Sequence, residues 1–128
     1  MKQRVTGIGG FFFKTKDPKS LKQWYNRHLG LNTDEYGCTF WWKDEQGNKC
    51  ATQWSPFKED TAYFNPSEKP FMMNFRVADL EDLIEVLKEE GVQQVGEIET
   101  YSYGKFAWVM DPEGNKLELW EPIDRVFE

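Results

Sequence analysis

The feature that most restricts what this chain can fold into is an internal repeat. Phe13-Lys14-Thr15-Lys16-Asp17, with Leu21 following, recurs 62 residues later as Phe75-Arg76-Val77-Ala78-Asp79, with Leu83 following. Later landmarks keep step. Asp44, Gly47 and Asn48 recur 67 residues on as Asp111, Gly114 and Asn115, and Trp54-Ser55-Pro56 recurs 66 on as Trp120-Glu121-Pro122. A chain of 128 residues is one domain's worth of polypeptide, so the two copies must share one core.

Each copy reads as a strand, a helix and further strands. Val5 to Thr15, rich in aromatics and glycine, reads as a strand buried on both faces. Asp17 offers an N-cap and Pro18 an N1 residue; Leu21, Trp24, Tyr25 and Leu29 then recur at helical spacing before Gly30 supplies the C-cap. Tyr36 to Lys43 and Asn48 to Trp54 read as a hairpin around Asp44-Glu45-Gln46-Gly47. Ser55 to Pro70 carries three prolines and no periodicity, a connector long enough to suggest a functional or dimer-linking role. The pattern then restarts. Phe71 to Val77 is strand-like, Asp79 caps a helix with a Leu80, Leu83, Ile84 and Leu87 stripe, and Gly91 ends it. Strand signals follow over Gln94 to Thr100 and Lys105 to Met110, and a turn over Asp111 to Asn115 leads to a last strand, Lys116 to Glu121.

The expected fold class is therefore α+β, two tandem βαβββ modules forming curled mixed sheets. The first module takes residues 1–57, the connector 58–70 and the second module 71–128. Helices outside and a shared concave interior would leave that interior as the candidate site.

Composition narrows the partners. A net charge of -6 gives no general attraction to phosphate backbones or anionic membranes, so no nucleic-acid or membrane partner is expected. The start of the chain lacks the apolar run of a signal peptide, and no stretch reaches the length of a membrane span, so a cytoplasmic location is expected. Cys38 and Cys50 have neither Cys-x-x-Cys spacing nor a nearby His, and read as buried thiols. They do not face each other if Lys43 pairs with Asn48. His28, at a helix end, complements the helix dipole.

At this point the chain resembles the vicinal-oxygen-chelate superfamily of glyoxalases, extradiol dioxygenases, fosfomycin-resistance enzymes and bleomycin-resistance proteins. The segments that carry the likeness are Trp24-Tyr25-Asn26-Arg27-His28-Leu29-Gly30-Leu31 and Asp111-Pro112-Glu113-Gly114-Asn115-Lys116-Leu117-Glu118-Leu119-Trp120, together with the duplication. The resemblance implies homodimers and a metal held inside the sheet by one residue from each of four strands. At those four positions this chain carries Gly10, Thr52 (or Gln53 after a one-residue slip), Met72 and Glu118. Only Glu118 keeps the family's residue. One good donor in four does not hold a divalent ion firmly, so no metal cofactor is expected.

Strand alternation then proposes a lining. With Gly10 and Met72 facing inward, Phe12 and Lys14 follow in one half and Asn74 and Arg76 in the other; Thr52 brings Trp54 and Glu118 brings Trp120. Trp41 and Trp108 join from neighbouring strands. The aromatics serve equally well as ordinary core. Arg76 and Glu118 either form a buried ion pair or act separately, Arg76 on an anionic group and Glu118 as an acid or base. Three functions stay open: sequestration of an aromatic or cationic small molecule in the bleomycin-resistance manner, a glyoxalase or lyase type enzyme with Glu118 as general base and either Arg76 or a weakly bound divalent metal stabilising the enolate, and a structural or regulatory partner with a filled interior.

Overall fold

Val5–Thr15 forms the first strand, β1, and the strand period of two divides its aromatic triplet between faces. The computed structural model describes residues 4–123. After β1 come α1 (Pro18–Leu29), β2 (Cys38–Lys43), β3 (Lys49–Lys58), β4 (Phe71–Val77), α2 (Leu80–Glu89), β5 (Glu99–Tyr101), β6 (Gly104–Met110) and β7 (Lys116–Pro122).

Both helices start on the residues that the capping pattern names. The Asp17 carboxylate accepts the Ser20 N–H at 3.1 Å, and Gly30, at φ 72°, closes α1. Asp79 accepts the Asp82 N–H at 3.2 Å. Asp79→Ala should therefore lower stability by about 1 kcal/mol. A urea midpoint that falls with unchanged slope would show it, and an unmoved midpoint would deny the cap its role.

The strands form one seven-stranded sheet in the order β2-β3-β1-β4-β7-β6-β5. In each half the first strand runs parallel to the last, β1 with β3 and β4 with β7. The halves join through antiparallel β1 and β4, so the modules close on each other within one chain. The repeated turns are alike to the atom: Asp44 Oδ1 accepts the N–H groups of Gln46 and Asn48, as Asp111 Oδ1 accepts those of Glu113 and Asn115. In β2 and β3, Cys38 pairs with Trp54 and Cys50 with Trp42, so the thiols are not opposed.

Three stretches depart from the expected pattern. Two strands follow α1 where three follow α2, because Asp34 Oδ1 accepts the Tyr36 and Gly37 N–H groups and winds that stretch into a turn with a single Asp34/Gly37 bridge. Gln94 to Thr100 yields only Glu99–Tyr101, since Gly96 turns the chain at φ 71° and Gln94 holds one bridge to Val109. β3 continues through Pro56 to Lys58, beyond the last β2 partner at Trp54, where an edge tolerates proline.

Both helices cover one face. Leu80, Leu83 and Ile84 of α2 pack on Val77, Ala107, Val109 and Leu119. Tyr25 of α1 lies 4.5 Å from the Trp54 ring, which in turn is 5.5 Å from Phe13. The other face receives the connector. Its Phe64, with no exposed surface, forms a second core with Met72 and Trp108, flanked by Phe12, Phe57 and Phe106. The connector thus folds back onto the sheet of its own chain. Among the described residues, no helix is long and apolar enough to cross a membrane.

Candidate functional site

On the face away from the helices lies a cavity of about 630 Å³. β7 builds its floor by alternation. Leu117 and Leu119 go to the α2 side, and Glu118 and Trp120 to the cavity. Asn74 lies beside Glu118 in the parallel register of β4 and β7. Phe12, Phe57, Phe106, Trp41 and Tyr103 supply aromatic wall, while Asp34, Thr39, Gln53 and Ser55 add polar groups. The Phe106 and Trp120 rings are parallel, with an interplanar angle of 3° and centroids 6.0 Å apart.

Glu118 is the chemical centre of this floor. It is only 2% exposed, yet three donors reach it: Asn74 Nδ2 at 2.6 Å on Oε1, Trp108 Nε1 at 2.9 Å on Oε2, and the Tyr63 hydroxyl, also on Oε2. Burial pushes its carboxyl above the usual range; the three hydrogen bonds and the Lys116 charge pull the other way and do not cancel the shift. Tyr63 comes from the connector. Its hydroxyl is held upward, first by burial and then by the Glu118 charge. Lys116, buried and lowered by that burial, donates to the Tyr63 carbonyl at 2.7 Å and so fixes the ring's position.

A bulge in β1 makes room for this network. The β1/β4 register shifts between Ile8 and Gly10, so Gly10 pairs with Asn74 and the extra residue, Gly9, lies against the Asn74 side chain. A Cβ on Gly9 would stand 2.0 Å from Asn74 Oδ1 and 3.1 Å from Trp120 Cε3. That Oδ1 is buried and has no hydrogen-bond partner among the described residues.

The residues singled out by sequence distribute as follows. Phe12, Trp41, Asn74, Glu118 and Trp120 line the cavity. Trp54 does not. It lies under α1, because Gln53 and Ser55 take the inward positions of β3 and a one-residue shift sends their neighbour to the opposite face. By the same register Gln53 is the inward residue, and Thr52 bonds instead to Trp42 Nε1 and the Ile8 carbonyl. Met72 and Trp108 are core under the connector, although Trp108 reaches Glu118 with its N–H. Lys14 covers the Phe64 ring at 5.6 Å.

Arg76 and Glu118 do not pair. The guanidinium donates to the Ala51 carbonyl at 3.1 Å and lies over the rings of Trp120 and Trp42 at 5.1 and 5.6 Å. Sequence reasoning missed Tyr63, Asp34, Tyr36, Tyr103 and Phe106. The Tyr63-Phe64 pair, an apolar step in an otherwise polar connector, was the one signal available.

The donor set does not suit a divalent ion. Around the floor stand Gly9, Gln53, Asn74 and a Glu118 whose oxygens already accept three hydrogen bonds. Among the described residues no three His, Cys, Asp or Glu side chains converge as a metal centre would require.

A family model described as a glyoxalase-like domain matches residues 10–120. No curated protein matches the sequence. Among solved structures, methylmalonyl-CoA epimerase of Streptomyces coelicolor, in complex with 2-nitronate-propionyl-CoA, superposes with a TM-score of 0.69. It is 16% identical over 92% of this chain and 98% of its own. The epimerase of Mycobacterium tuberculosis gives 0.63 at 17% identity, over 99% and 95%. A hypothetical protein of Bacillus halodurans gives 0.62 at 17% identity, over 91% and 94%. At these identities the likeness is one of fold.

Proposed function

Starting from the premise that this chain belongs to the glyoxalase-like domain family, we propose that it binds a planar aromatic small molecule, preferably a cation, in its cavity without a resident metal ion. The observation that carries this reading is the aromatic lining around a buried carboxylate, with a second carboxylate, Asp34, in that lining. Aromatic faces attract cations as well as stacking partners, and the net charge of -6 favours their approach. Dialysed protein titrated with the cationic tricycle proflavine should show saturable quenching of tryptophan fluorescence. Glu118→Gln, which keeps shape and removes the charge, should weaken that binding about tenfold. Quenching that never saturates would end the proposal.

A second reading has its own observation. A carboxyl with raised proton affinity, bonded to a cavity-facing tyrosine hydroxyl, is equipped to move a proton beside a carbonyl. Turnover of a hemithioacetal by dialysed protein, lost in Glu118→Gln while the fold persists, would favour this enzyme over a sequestering protein.

A further inference from the structure

A lysine outside the cavity lining stands over one of the aromatic rings that line it. Lys49 Nζ stands 4.4 Å from the centre of the Trp41 ring, on a tryptophan that lines the cavity and is 52% exposed. The register explains the placement. Trp41 lies opposite Ala51 in the β2/β3 pair, and both line the cavity. Lys49 is two residues before Ala51, so it projects from the same face and reaches Trp41 as a diagonal neighbour across the small alanine. Its partner in the ladder, Lys43, has the same charge and belongs to the same face, yet it is Lys49 that sits over the ring.

We propose that Lys49 is an internal competitor for the aromatic face of Trp41, so that a cationic ligand must displace its ammonium group while a neutral one of the same shape need not. The proposal rests on the reading of the cavity as a site for planar aromatic compounds and adds the residue that sets its preference by charge. An ammonium and a ligand cation cannot share one ring face, because each repels the other there. Lys49 therefore limits the preference for cations that the carboxylates and ring faces create: neutral planar compounds enter without meeting it, and cationic ones gain the Trp41 face only by moving the lysine aside.

The test compares two flat tricyclic probes, cationic proflavine and neutral acridone, on wild type, Lys49→Gln, Lys43→Gln and Trp41→Leu, with circular dichroism to confirm the fold. Lys49→Gln should tighten proflavine binding roughly fivefold and leave acridone unchanged. Lys43→Gln makes the same change in net charge and should give no comparable gain. In a Trp41→Leu background the Lys49→Gln gain should vanish, the sign of a direct contact in a double-mutant cycle. If the two lysine variants gain equally, or the gain survives without Trp41, the effect is general charge and the inference fails while the binding site stands. If wild type binds neither probe, the reading of the cavity fails and takes the inference with it.

Discussion

Glu118→Ala is expected to lower stability by about 2–4 kcal/mol, whereas Glu118→Gln should stabilise the domain at neutral pH. The alanine leaves three donors without their acceptor. Tyr63, 38% exposed, can turn its hydroxyl to water, but the Asn74 amide and the Trp108 N–H are buried at 2% and 7% exposure and each lost partner costs about 1–3 kcal/mol. Glutamine keeps an oxygen for Tyr63 and Trp108. Its amide N–H can meet Asn74 Oδ1 once the asparagine amide turns over, which gives that unpartnered oxygen a donor.

The pH dependence separates charge from shape. Burial raises the folded-state proton affinity of Glu118 above its ordinary value of 4.5, so between that value and the folded pKa the native state binds more protons than the unfolded chain. Stability from this group is full below 4.5 and falls as pH rises through the folded pKa. Glutamine has no such loss. Its advantage should be near zero at acid pH and grow as pH rises through that window, read as a higher melting temperature at neutrality. Thermal unfolding of both proteins on either side of that window decides it; a glutamine variant less stable than wild type at neutral pH would mean the ionised carboxylate is net stabilising.

The second large effect is expected at Gly9. Gly9→Ala should cost about 2–3 kcal/mol and abolish proflavine binding even at temperatures where the variant is folded. Its Cβ would fall 2.0 Å from Asn74 Oδ1 and 3.0 Å from Asn74 Cγ, and neither this side chain nor Trp120 is loose. Asn74 is tied to Glu118, and Trp120 is stacked on Phe106 with its indole N–H given to the Tyr103 carbonyl at 3.2 Å. The collision therefore spreads through the floor of the site. Gly47→Ala is the control, since nothing lies within 4 Å of its added Cβ and only the φ of 82° is strained. Equal losses of binding in the two variants would show that the packing at Gly9 has no special place in the site.

What the sequence by itself determined is local or periodic. Caps at Asp17 and Asp79, the glycine that ends α1, the twin Asx turns and the alternation that sends Glu118 and Leu119 to opposite faces each depend on residues a few positions apart. The duplication added one long-range fact, that two like units share a core, because repeated patterns build repeated elements. Tertiary structure decided the rest. A bulge at Gly9 and the register of β3 set whether Gln53 or Thr52, and with it Trp54, faces the cavity, and a shift of one residue reverses every side chain beyond it. Tyr63 and Glu118 are 55 residues apart, and their hydrogen bond exists only because Phe64 anchors the connector in the second core and Lys116 holds the Tyr63 carbonyl. No periodicity encodes such a meeting, since it follows from which buried surfaces fit together once both segments are already folded.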